Sequence, residues 1–252
     1  MNNSKGLEKG YIINIMFCVL MIMASVFFIS SNDIFASLGL SEYRILGKYI
    51  TKGTASLLFV ICGLVNLLYA RKSCAWKNAK YMILMCIGLF FAMLGDIFLI
   101  EFFIVGALLF AVGHVFFLIA FFFVSKFNIR DLVVMVCIFV PALLLILLYP
   151  HFNFEGMQAL VIVYALIISV MLGKAISNVF ARENRFINML IALGALLFFL
   201  SDVMLLFNVF GGAPYVLDVL CIALYYPAEF LLAFSILIVG YKYNKQEQIN
   251  AQ

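Results

Sequence analysis

Runs of about twenty uncharged residues recur along the whole chain, and they leave few folds open to it. A bilayer core takes about 20 apolar residues per helix. Eight such runs can be drawn, at 11–30, 53–70, 80–100, 102–125, 132–149, 158–180, 186–208 and 215–239. They are continuous rather than alternating, which argues against barrel strands. Backbone groups in lipid must satisfy one another, so each run is expected to be a helix. Composition agrees: 67% of residues are hydrophobic and 11% charged, against about 25% charged in a soluble domain. The expected fold class is all-α, a polytopic membrane helix bundle of about eight transmembrane helices. No linker, low-complexity tract or charge block marks a second domain, so 1–252 reads as a single membrane domain.

The charges orient the bundle. With a cytoplasmic amino terminus, that side carries Lys5, Lys9, Arg71, Lys72, Lys77, Lys80, Lys126, Arg130, Lys174, Arg182, Arg185, Lys242 and Lys245. The other side carries only Arg44, Lys48 and Lys52. This positive-inside bias predicts cytoplasmic N and C termini. The net charge of +4 then reports topology and affinity for anionic headgroups; the scattered basic residues give no sign of nucleic acid as a partner. The first span is too long for a signal peptide and no A-x-A site follows it, so it reads as a retained helix. Only Glu101 parts the third and fourth spans, which predicts a tight hairpin. Ser31 to Thr51 reads as the only long loop, and the tail after Lys242 as frayed. Cys18, Cys62, Cys74, Cys86, Cys137 and Cys221 show no CxxC pairing and read as small apolar fillers.

Three segments echo one another: "GLFFAMLGD" ending at Asp96, "GALLFAVGH" at His114 and "GALLFFLSD" at Asp202. The small pairs Gly88/Gly95, Gly106/Gly113 and Gly194/Ser201 are seven residues apart, two helical turns to within about 20°. Small residues on one face let helices approach closely in lipid. The ionisable residue follows one step later, beside that contact. A weaker echo joins Cys221, Ala228 and Glu229. An aspartate inside a span costs about 2.5–3.5 kcal/mol on insertion scales and usually serves function. His114 could instead tie two helices together, Ser169 could bond its own helix backbone, and Lys52 could snorkel to the interface. Span direction places Asp96, Asp202, His114, Ser169, Glu229 and Lys52 between mid-membrane and the outer boundary, the depth of one cavity. Pro227 frees a carbonyl in the eighth span, a feature tolerated where a cavity is lined. Tyr225 and Tyr226 flank Glu229.

The motifs "LGDIFLI", "GALLFAVGHVFFLIAF", "YALIISVML", "GALLFFLSDVMLLF" and "LYYPAEFLL", in that order, resemble the YhhN-type lysoplasmalogenases, from about Thr51 to Gly240. The resemblance implies a membrane protein of about eight helices. It matches the family's paired aspartates to Asp96 and Asp202 and its GH histidine to His114. It matches the Tyr and Ser of the sixth helix to Tyr164 and Ser169, and the lysine that opens the second helix to Lys52. Gly53 stands where the family usually has proline. In the last helix Tyr225 takes the tyrosine position, and Glu229 replaces a glutamine and adds a third carboxyl.

The implied reaction is hydrolysis of the vinyl ether of a lysoplasmalogen, giving a fatty aldehyde and a glycerophospho-alcohol. Protonation at the β-carbon leaves an oxocarbenium ion that water attacks, so the site needs one protonated acid and one negative group. A carboxyl in low dielectric favours its neutral form, and paired carboxylates divide such work in glycoside hydrolysis. Asp96 and Asp202 are the expected catalytic pair, in either assignment, with His114 orienting a carboxylate or the water. Lys52 would meet the headgroup phosphate, and Tyr164, Ser169, Tyr225, Tyr226 and Glu229 would bind substrate. No cofactor or metal is expected; the partners are the vinyl ether lysophospholipid and membrane lipids. Two rivals stay open. One is a metal-dependent lipid hydrolase, which would have to combine His114 with carboxylates because His151 lies in a loop. The other is a proton-coupled small-molecule or lipid transporter. The expected location is the plasma membrane in a bacterium, or the endoplasmic reticulum otherwise.

Overall fold

The computed structural model describes the backbone of residues 2–38, 41–71, 79–181, 184–212 and 214–250. Side chains are described within 7–31, 34–35, 37–38, 42–43, 45–70, 79–181, 184–212 and 214–242. Of the residues used above, the side chains of Lys5, Arg44, Arg71, Lys72, Lys77, Arg182, Lys245 and Cys74 lie outside the described residues.

Eight helices follow one another: α1 (Asn2–Ser37), α2 (Arg44–Arg71), α3 (Lys80–Phe98), α4 (Phe103–Val124), α5 (Ile129–Leu148), α6 (Gln158–Val179), α7 (Arg185–Phe210) and α8 (Tyr215–Asn250). All eight are long and apolar enough to cross a membrane, and there is no strand among the described residues. The chain is an integral, multi-pass membrane protein. Large apolar side chains such as Leu148, Ile129 and Phe186 are exposed around the bundle, as suits a surface solvated by lipid tails.

Two expectations are corrected. The loop expected from Ser31 to Thr51 is mostly helix, since α1 runs on to Ser37 and α2 begins at Arg44 after a 3-10 turn at Ser41–Tyr43. The tail expected to fray is helical to Asn250. Extending a formed helix is far easier than nucleating one, and the tail's Lys and Gln are good helix formers. Lys52 therefore sits about two turns inside α2 rather than opening it.

Helices α2, α3, α4, α6, α7 and α8 pack in that order into a closed ring, and α3 also meets α8 across it. Helix α1 lies outside against α2 and α8, and α5 outside against α6. Burial reflects this: 11% and 17% of the apolar windows of α1 and α5 are buried, against 61% for α8. The small pairs mark interfaces. A Cβ on Gly95 would come within 2.7 Å of Phe110, and one on Gly106 within 2.6 Å of the Leu99 backbone, so α3 and α4 touch closely. Gly194 faces Leu231 and Leu232 of α8, and Ser201 Oγ donates to the Cys221 carbonyl at 2.9 Å. The hairpin at Glu101 is as expected, with Tyr49 donating to Glu101 Oε2 at 2.6 Å across its mouth. Helix α7 ends at Gly211, followed by Gly212 at φ 59°, a conformation glycine adopts without strain.

Polar pairs fasten the two outer helices. Asn14 of α1 and Asn66 of α2 exchange amide hydrogen bonds of 2.7 and 2.9 Å, and Asn66 also donates to the Ala233 carbonyl of α8. Helix α5 is held by a buried ion pair, Lys174 Nζ to Asp131 Oδ2 at 2.8 Å. Ser177 Oγ donates to Asp131 Oδ1 at 2.5 Å, and the Asn128 N–H donates to Oδ2 at 3.0 Å, which closes the helix N-cap. Lys174, one of the basic residues in the positive-inside count, is fully buried and donates as well to the Lys126 carbonyl. Asp131 makes that burial tolerable. Lys174→Met, which strands the carboxylate, should cost about 3–5 kcal/mol in unfolding of the detergent-purified protein. The double variant Lys174→Met/Asp131→Leu should recover much of that loss, because no buried charge is left unpaired.

Candidate functional site

Two groups of side chains meet inside the ring. Asp96 of α3, 2% exposed, is held on three sides. Lys52 Nζ of α2 lies 3.1 Å from its Oδ1. Ser56 Oγ of α2 and the Tyr225 hydroxyl of α8 donate to its Oδ2 at 2.5 and 2.8 Å. Charge-assisted bonds of this kind are short and directional, and they fix the carboxyl in place. Ser56 is one turn beyond Lys52, so both reach Asp96 from one face of α2.

Asp202 of α7 has a different surrounding. The Tyr164 hydroxyl of α6 donates to its Oδ2 at 2.8 Å. His114 Nε2 of α4 stands 3.8 Å from the same oxygen. The other ring nitrogen, Nδ1, lies 2.6 Å from the Phe110 carbonyl. A carbonyl only accepts, so Nδ1 carries a proton, and Nε2 is the ring nitrogen that faces Asp202. Nε2 is buried without a hydrogen bond. Ring contacts fix the imidazole, with Phe198 at 4.5 Å and Tyr164 at 5.6 Å between centroids.

Asp202 borders three cavities. The first is a chamber of about 80 Å³, whose apolar walls include Phe110, Ile222 and Phe28 of α1 and into which Lys52, Asp96, Ser201, Asp202, Asp218, Tyr225 and Tyr226 also project. The chamber continues through shared walls at Lys52, Leu99, Leu205 and Ile222 into a vestibule of about 250 Å³, which Lys48 also lines. The second is an almost wholly apolar groove of about 470 Å³ between α5, α6 and α7, whose polar end is Tyr164 and Asp202. The third, about 60 Å³, lies between α4, α6 and α7. Asp202 is where the charged compartment and the apolar groove join.

The expected residues divide accordingly. Lys52, Asp96, Asp202, Tyr225 and Tyr226 share the chamber, and Tyr164 and His114 touch it through Asp202. Ser169 is fully buried, with its hydroxyl unpaired, and borders none of these cavities; nor does it bond its own helix. Glu229 is also fully buried, about one turn past Tyr225 and Tyr226. Neither of its oxygens has a hydrogen bond among the described residues, and it borders none of these cavities. Helix α8 runs unbroken through Pro227. Ser56, Lys48 and Asp218 were not singled out from sequence. The four-residue spacing of Lys52 and Ser56 was the available sign, whereas Asp218 reads as an ordinary charge in a first helical turn. Among the described residues no group of three His, Cys, Asp or Glu side chains is placed to share a metal ion.

A model of the YhhN family matches residues 47–236, which take in α2 to most of α8 and all of the chamber except Phe28. No curated protein and no solved structure matches the chain. The donors around Asp96 give a direct check on this geometry. Tyr225→Phe and Ser56→Ala should each destabilise the purified protein by about 1.5–3 kcal/mol, the worth of a hydrogen bond to a charged group. Sharing one oxygen, they should couple in a double-mutant cycle read by thermal unfolding.

Proposed function

The chain belongs to the YhhN family, and from that premise we propose that it is a membrane hydrolase cleaving the vinyl ether bond of lysoplasmalogens. The observation that carries this reading is the position of Asp202, between a chamber with fixed charge and a groove sized for a single chain. Ligand sites commonly measure about 300–1,000 Å³, and the 470 Å³ groove, lined by Leu145, Ile168 and Leu200 among others, suits an alkenyl tail. The vinyl ether would then lie beside Asp202, with the phosphate toward Lys52.

The two aspartates take different roles in this reading. Asp96, clamped by Lys52, Ser56 and Tyr225, is the permanent anion. Asp202, which no lysine among the described residues pairs with, gives its proton to the β-carbon. The double bond's electrons form the new C–H bond, and the positive charge spreads over the adjacent carbon and the ether oxygen. The Asp96 carboxylate stabilises that charge, as a preorganised group does without reorganisation at the moment of reaction. Water adds to the carbon and yields its proton to His114 Nε2, which returns it to Asp202. The hemiacetal then collapses: its hydroxyl loses a proton as the C=O bond forms, the other C–O bond breaks, and that same proton is passed to the leaving oxygen, so aldehyde and glycerophospho-alcohol separate. Tyr164 orients Asp202. In this reading the positive-inside bias puts the termini in the cytoplasm, which turns the vestibule outward.

Positioned acid catalysis is worth about 10²–10⁴-fold. Purified protein should release aldehyde from a vinyl ether lysophospholipid, and Asp202→Asn should lower kcat by at least about 10²-fold. Asp96→Asn should also lose turnover. Undiminished release by Asp202→Asn would overturn the assignment of the acid. Ala165→Trp, which fills the groove, should raise KM for long-chain substrates more than for short-chain ones when aldehyde is measured across a chain-length series.

A proton-coupled transporter is the second reading, favoured by Glu229, a buried carboxyl away from the chamber that extends the row of ionisable groups. Well-folded protein without turnover, but with proton-dependent uptake into vesicles, would favour it.

A further inference from the structure

The vestibule outside the chamber has a charge layout of its own. Lys48 and Lys52 are four residues apart on α2, so their ammonium groups leave one face of the helix. Asp218 of α8 completes the polar wall, among Phe28, Ile29, Leu205 and Val219. Lys52 is drawn inward to Asp96. Lys48 makes no ion pair among the described residues. Asp218 accepts one hydrogen bond, from Asn208 Nδ2 to Oδ1 at 3.1 Å, and no side chain among the described residues donates to Oδ2. Half-buried lysine and aspartate therefore border one 250 Å³ space without neutralising each other, at the mouth of a chamber that ends on Asp202.

We infer that this vestibule is a zwitterion site, in which Lys48 takes a phosphate and Asp218 takes an amine joined to it. Asp218 thereby becomes the residue that selects amine-bearing headgroups over bare phosphate. With Lys52 committed to Asp96, the free charges are one positive and one negative, matching a phosphodiester and an ammonium. A phosphomonoester carries about −1.5 to −2 charges near neutral pH and would leave Asp218 facing an anion with no cation between them. The space suits a headgroup and not a whole lipid, whose chain has the groove. The substrate in this inference rests on the hydrolase reading; the charge layout does not.

Binding and turnover test it separately on the full-length protein in detergent. Glycerophosphoethanolamine should raise the Tm of wild type more than glycerol 3-phosphate does. Asp218→Asn should abolish or invert that order. On a vinyl ether substrate with an ethanolamine headgroup, Asp218→Asn should raise KM about fivefold, the scale of a partly exposed ion pair. The loss should fall in KM more than in kcat, as for a contact made equally in ground and transition states. Asp218→Glu should keep the preference. So should Asn208→Ala, which breaks the same α7–α8 tie but leaves the charge, and this separates recognition from folding. The inference is overturned if wild type binds both probes equally, or if Asp218→Asn keeps the wild-type order. Preferential binding without aldehyde release would uphold the vestibule and sink the hydrolase reading. Release without any headgroup preference would do the opposite.

Discussion

The carboxylate of Asp96 joins three helices at one point, and the arrangement of the bundle interior follows from keeping it there. A charge in the bilayer is costly and persists where partners replace its water. Here the partners are Lys52 and Ser56 from α2 and Tyr225 from α8. Their convergence keeps α2, α3 and α8 in register and makes one wall of the chamber charged. Removing the lysine would leave a buried anion, a larger penalty than losing either hydroxyl.

The opposite wall is built on another principle. Among the described residues Asp202 has one hydrogen-bond donor, Tyr164, with Nε2 of His114 nearby, and it borders apolar space on α6 and α7. Two chemically identical side chains thus face different surroundings across one chamber, the condition under which paired carboxylates divide acid and anion roles. The aromatic packing of Phe110, Phe198 and Tyr225, with centroids 5.3 to 6.1 Å apart, fixes both walls without adding polar groups.

The outer helices contribute differently. Helix α5 is pinned by Asp131 and Lys174, and its face toward α6 and α7 forms one side of the groove. Helix α1 is tied through Asn14 and Asn66 and lends Phe28 to chamber and vestibule. All of α1 lies before the family match at 47–236, so this chain closes its vestibule with a segment outside the matched region.

Read alone, the sequence determined the number of spanning helices, the all-α class, the small-residue contacts and the intramembrane residues worth attention. These depend on length, hydropathy and local spacing, which lipid reads one helix at a time. The sequence expectation misjudged helix ends at 31–51 and after 242, because no apolar boundary marks where a helix stops once it leaves the bilayer. Tertiary structure alone decided which polar groups meet. Lys174 counts in the sequence as one of the positive-inside charges, but its partner Asp131 is 43 residues away in sequence and meets it only in the packed bundle. Ser169 carried a motif yet faces none of the cavities, and Ser56 carried none yet bonds the central carboxylate. Hydrophobic patterning shows that a residue lies in the membrane, but its partner comes from another helix, and only the packing of the ring brings the two together.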